Sequence, residues 1–134
     1  MIIYVLDTNI ISFYLKGNEV VANNIIRALA NGDSILVAPI AYYEIKRGLT
    51  AVGSLKRLRE FEKFCKLFGI GQLSNDMLDV AVDIYTEQRK MGHMMEDADI
   101  FIAAFCKHES FSLVTNNTKH FAHISDLDLF DWSK

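Results

Sequence analysis

The run Ile2-Ile3-Tyr4-Val5-Leu6, cut off abruptly by Asp7, is the feature that most narrows the folds open to this chain. A continuous apolar stretch rich in β-branched residues reads as a strand buried on both faces of a parallel sheet; a strand with one wet face would alternate instead. Asp7, Thr8 and Asn9 are all good helix N-caps, and Ile10, Ile11, Tyr14 and Leu15 follow at helical spacing up to Gly17. A short helix is therefore expected directly after the strand.

The same alternation continues along the chain. A second helix is expected from Glu19 to Ala30, stopped at Asn31-Gly32, then a short apolar strand from Ser34 to Ala38. Pro39 falls where proline is tolerated, in the first turn of a helix carrying Glu44. Between Ser54 and Phe68, Leu55, Leu58, Phe61, Cys65 and Phe68 recur every three or four residues opposite basic ones, which predicts an amphipathic helix. Gly69 to Leu73 is read as room for a brief strand, and Asp76 to Lys90 as a helix capped by Ser74 and ended by Gly92. Asp97 to Cys106 reads as helix, Ser112 to Thr115 as extended, and Leu127 to Trp132 as a last strand. Strands alternating with helices point to an α/β fold, a three-layer α/β/α sandwich with a mostly parallel central sheet of four or five strands. With 134 residues, 51% of them apolar and only one Pro, the chain suits a single domain over residues 1–134 with a proper buried core.

Composition excludes several function classes. Cys65 and Cys106 have no metal-like spacing and lie in apolar helical stretches, which predicts reduced, packed thiols in a cytoplasmic protein. The opening segment lacks a basic start and a cleavage site, and no stretch approaches the roughly 18 to 20 apolar residues of a membrane span, so a soluble protein with no membrane partner is expected. His93, His108, His120 and His123 show no i, i+4 pairing and no Cys partners, which argues against zinc and leaves them as surface histidines. No Gly-x-Ser-x-Gly elbow and no Gly-rich phosphate loop occur. The net charge of −3 does not suit a protein that coats nucleic acid. Seven of the 14 basic residues nevertheless cluster (Lys46, Arg47, Lys56, Arg57, Arg59, Lys63, Lys66), as a solvated helix face or a phosphate contact.

In open parallel sheets ligands bind outside the carboxyl ends of the strands. Asp7 follows the first strand at once, Glu44 lies just over one helical turn past the second, and Asn117 sits two residues after the strand ending at Thr115. Asp99 opens a helix whose run Ile100 to Ala104 would bury it and aim its acidic start at the same crevice. Gathered carboxylates repel one another, so their pKa values rise or a cation neutralises them. Oxygen ligands without Cys or paired His favour Mg²⁺, with Mn²⁺ as a substitute, and such a site suits phosphodiester hydrolysis by an activated water.

Each of these residues also has a purely structural reading. Asp7 is a natural cap for the helix that follows. Glu44 can pair with Arg47 at i+3, although small neighbours at Ala41 and Gly48 leave open space beside it. Asp97 and Asp99 are two apart and point to different sides of a helix; Asp97, at the N-cap or first turn, has the stronger structural role, which makes Asp99 the better ligand. Asn117 is also the kind of residue that turns favour.

Five segments in order carry a family resemblance: Leu6-Asp7-Thr8-Asn9; Ala41 to Gly48 around Glu44; Glu96 to Ala104 around Asp97 and Asp99; Leu113-Val114-Thr115-Asn116-Asn117 with Phe121; and Asp131-Trp132. Over nearly its whole length the chain resembles the PIN-domain ribonucleases and, among them, the VapC-type toxins of type II toxin–antitoxin systems. The resemblance implies an Mg²⁺-dependent endoribonuclease, a hydrolase acting on RNA and often on tRNA. It matches Asp7, Glu44 and Asp99 to the family's metal-holding acids, with Asp7 and Asp99 as direct ligands. Asn117 falls where many relatives carry Asp, which puts a second metal in doubt, while Thr115 and Asn9 match supporting positions. A homodimer and a cognate VapB-like antitoxin are further implied partners. Two other readings remain at this stage: a housekeeping PIN nuclease for RNA processing, and a catalytically silent module that binds RNA or protein.

Overall fold

The computed structural model describes residues 1–134 throughout. In chain order the elements are β1 (Ile3–Leu6), α1 (Thr8–Leu15), α2 (Glu19–Ala30), β2 (Ser34–Val37), α3 (Pro39–Ala51), α4 (Leu55–Phe68), α5 (Asn75–Lys90), α6 (Asp97–Glu109), β3 (Ser112–Val114), α7 (Thr118–Phe121) and β4 (Leu129–Phe130). The four strands form one sheet in the order β2-β1-β3-β4, parallel at every pairing. Val5 and Leu6 are adjacent and so face opposite sides of the sheet, yet both are fully buried. Helices must therefore cover both faces, which is the three-layer sandwich expected from the apolar first strand.

Register decides where the chemistry falls. Leu6 pairs with Val37 on one side and with Val114 on the other, so β1, β2 and β3 end level. The chain leaves β1 toward β2 on one side and returns to β3 on the other, which puts a topological switch point at the end of β1. The ladder even runs one residue past the strand, since the Asp7 N–H donates to the Val114 carbonyl at 3.0 Å.

Three expectations need correction. Gly69 to Leu73 forms only a single bridge, Val37 to Ile70, not a strand. The ring of Phe105 lies against Gly71 so closely that a Cβ there would come within 2.6 Å of it, and Gly69 takes φ +87°, so the segment bends where a strand would have to continue. In α4 the buried positions are Phe61, Phe64 and Cys65, while Leu55, expected on the apolar stripe, is exposed. The helix expected to end at Cys106 runs on to Glu109 and stops at Ser110, whose φ of 59° is left-handed. The short α7 was not foreseen. Cys65 and Cys106 are free, buried thiols as expected; burial pushes both pKa values up, Cys65 to about 11, so neither is a ready thiolate nucleophile at neutral pH.

Candidate active site

Asp7 is placed by the sheet and held by two neutral donors. Its Oδ1 accepts the Thr8 N–H at 2.7 Å and its Oδ2 accepts the Thr115 hydroxyl at 3.0 Å. The capping reading of Asp7 holds, with one oxygen at the start of α1, while the other oxygen is tied to the end of β3. The side chain is only 8% exposed and has no cationic partner within ion-pair distance. Burial pushes its carboxyl above the usual carboxylate range; the bonds from Thr8 and Thr115 oppose the rise, and the Asp99 and Glu44 carboxylates add to it. Three acids are thus close enough to feel one another across this edge.

Glu44 reaches the same edge from α3, with Oε1 accepting the Thr8 hydroxyl at 2.8 Å. The alternative pairing with Arg47 is absent; that guanidinium lies over the Tyr43 ring, 5.0 Å from its centroid. The small residue at Gly48 does leave open space, as the sequence suggested. A cleft of about 430 Å³ opens there, lined by Thr8, Ser12, Glu44, Gly48, Lys16 and Arg57 among others.

Asp99, in the first turn of α6, bonds through Oδ2 to His120 Nε2 at 2.9 Å. Burial pushes its carboxyl up, His120 opposes that rise, and Glu96 and Glu44 add to it. Asp97 is exposed and makes no side-chain bond, and the N-cap position belongs to Glu96. Of the acidic pair, the structure thus joins Asp99 to the cluster and leaves Asp97 outside it. Thr115 is fully buried and links two parts of the edge, since its oxygen also accepts the Asn117 N–H at 3.2 Å. Asn117 itself is exposed at the start of α7, close to the site through its backbone while its side chain makes no hydrogen bond. Asn9 stands at the rim and donates to Asn116 Oδ1 at 3.2 Å.

His120 is the residue that sequence reasoning missed. Grouping the histidines as surface residues followed from looking for i, i+4 pairs on one helix, whereas His120 meets an acid on another element. The one trace in the sequence is that His120 lies three residues after Asn117, a spacing that gains meaning only once the helical turn of α7 is seen.

The donor set fits a hard divalent cation. The Asp99 and Glu44 carboxylates raise the cost of ionising Asp7, Glu44 also raises that of Asp99, and no Lys or Arg pairs with any of the three. No three acidic, His or Cys side chains are drawn in tightly enough to enclose an ion. Open oxygen donors of this kind suit a hard divalent cation that keeps several waters better than a closed structural zinc site.

Comparison with known proteins identifies the family of the chain and bears out its fold. A family model described as PIN domain matches residues 4–127. The ribonuclease VapC2 of Rickettsia felis is 29% identical over 135 residues, covering 98% of this chain and 99% of the relative. Among solved structures, that of VapBC2 from Rickettsia felis bound to a DNA fragment from their promoter superposes with a TM-score of 0.89 at 27% identity, covering 98% of this chain and 99% of that one. That of VapBC-1 from nontypeable Haemophilus influenzae gives a TM-score of 0.85 at 28% identity, covering 99% of this chain and 100% of that one.

Proposed function

Because the chain belongs to the PIN-domain family, we propose that it is the ribonuclease toxin of a toxin–antitoxin pair, hydrolysing RNA with a divalent metal ion, Mg²⁺ or Mn²⁺, held at Asp7, Asp99 and Glu44. The observation that carries this reading is the buried Asp7 carboxylate, which faces two further acids and no cation at the switch point of the sheet.

When bound, the ion supplies a Lewis acid for the phosphate oxygen and lowers the pKa of an attacking water. The chain's part is positioning. Asp7 cannot swing, because the Thr8 N–H and the Thr115 hydroxyl each fix one of its oxygens while leaving a lone pair on each for an ion. The Thr8 hydroxyl holds one oxygen of Glu44 and leaves the other unengaged. Lys16 and Arg57, in the cleft beside Glu44, supply positive charge for substrate phosphates in a chain that is acidic overall. Asn117, exposed next to Thr115, offers an amide to the substrate or to a water.

A second surface supports an antitoxin partner. A groove of about 650 Å³ between α1, α2 and α4 is lined by Tyr14, Ile25, Ile26, Leu29, Phe64 and Leu67, with Ile26 64% and Leu67 74% exposed. An apolar groove of this kind suits the apolar face of a partner helix, and the solved structures similar to this chain include VapBC complexes. No helix is long and apolar enough to cross a membrane, and a cytoplasmic location belongs to the toxin reading proposed here. A homodimer is part of the same reading.

Purified protein should cleave RNA with Mg²⁺ or Mn²⁺ and stop on chelation. Asp7→Asn should lower the rate by roughly a thousandfold or more while circular dichroism shows an unchanged fold. Equal cleavage by the Asp7→Asn protein would point to a contaminating nuclease and remove the proposal.

A further inference from the structure

The Asp99 carboxylate does not stand alone: it ends a chain of contacts that starts in the core. Gln88 of α5 is only 2% exposed, an unusual position for an amide. Both ends of that amide are engaged. Its Nε2 donates to the His123 carbonyl at 3.2 Å, and its Oε1 lies 2.8 Å from His93 Nδ1. An amide oxygen only accepts, so His93 carries its proton on Nδ1. The His93 ring then packs at 4.6 Å against His123 and edge-on, at 5.6 Å and 69°, against His120. His120 is also braced by Phe121, at 5.6 Å and 84°. Its Nε2 meets Asp99 Oδ2 at 2.9 Å, and since a carboxylate only accepts, Nε2–H is the donor.

We propose that His120 is a positioning residue for the metal site: buttressed by His93 and Gln88, it fixes one oxygen of Asp99 so that the other is presented to the ion. This rests on the reading of Asp99 as a ligand. Outer partners of metal ligands commonly act in this way, and removing one typically costs about 10- to 100-fold in metal affinity or activity. The role differs from phosphate binding, because a histidine that gripped RNA would affect substrate capture rather than the ion.

The test is Mn²⁺ binding to the intact protein, followed by electron paramagnetic resonance and by calorimetry, for the parent, His120→Ala, His120→Gln and Asp99→Asn. His120→Ala should weaken binding by about tenfold. His120→Gln, whose amide N–H can replace Nε2–H, should stay within about threefold of the parent. In RNA cleavage at saturating Mn²⁺ the Ala variant should lose kcat with KM unmoved. Parent-like Mn²⁺ affinity in His120→Ala overturns the positioning role and leaves the ribonuclease reading intact. Equal weakening in the Ala and Gln variants also overturns it, since the donor would then not matter, and a raised KM alone reassigns His120 to RNA. Absence of Mn²⁺ binding by the parent removes the metal reading of the acids, and the positioning role with it.

Discussion

The two sides of the site hold their carboxylates differently. Asp7 is buried at the end of the central strand and gripped by a backbone N–H and a buried hydroxyl, neither of which changes charge. Asp99 lies at a helix start, half-buried, and is gripped by an imidazole resting on other imidazoles. The sheet dictates where Asp7 sits to within the precision of a β-ladder; Asp99 depends on side chains packed between α5, α6 and α7. The first is an anchor and the second an adjustable arm.

That contrast can be broken or sharpened by experiment. The largest effect after loss of Asp7 itself is expected from Thr115→Val, which keeps the shape but removes the donor to Asp7 and the acceptor for the Asn117 N–H. Divalent-ion affinity and cleavage should fall by about 10- to 100-fold, more than for His120→Ala; the opposite ranking would reverse the anchor and arm assignments.

A moderate effect should appear in stability against pH, measured in chelator by thermal melts. The Asp7 carboxyl lies above its ordinary value in the fold, so between the two values the native chain keeps a proton that the unfolded chain has lost. Its contribution to stability is therefore fully present below the unfolded pKa of about 3.9 and is lost as pH rises through the raised folded one. Asp7→Asn removes that titration and leaves an amide oxygen for Thr8 and an amide N–H for the Thr115 oxygen. The variant should melt a few degrees above the parent at neutral pH and level with it in acid. A gap of the same size at both ends of the range would mean that burial is not what raises Asp7. The smallest effect is expected at the rim: Asn9→Ala should change stability by less than about 0.5 kcal/mol and cleavage by less than about threefold, because its bond to Asn116 is exposed.

Much of this was legible in the sequence for one physical reason. Burial on both faces writes itself as an uninterrupted apolar run, so Ile2 to Leu6 announced a central parallel strand, and the parallel-sheet rule then gathered Asp7, Glu44, Asp99 and Asn117 at one edge. The preference for Asp99 rested on a capping role for Asp97; Asp97 is instead exposed with no side-chain bond and the N-cap is Glu96, while Asp99 does reach another element through His120. What stayed hidden depends on contacts between elements. Gly71 shows its meaning only when Phe105 is seen against it, and Glu44 turned to Thr8 rather than to its helical neighbour Arg47. His120 could be placed only once α7 was known to exist, and a single helical turn leaves almost no periodic trace.

The bond between Thr115 and Asp7 joins residues 108 apart in sequence. At a synthesis rate of about 5 to 20 residues per second, roughly 5 to 20 seconds separate the making of one from the making of the other. During that interval β1 has only β2 to pair with, and Asp7 lacks both the Thr115 hydroxyl and the ladder bond to Val114. Latency is thus written into the order of the strands: the ribosome building this nuclease is exposed to an assembled site only after β3 has emerged and closed on β1.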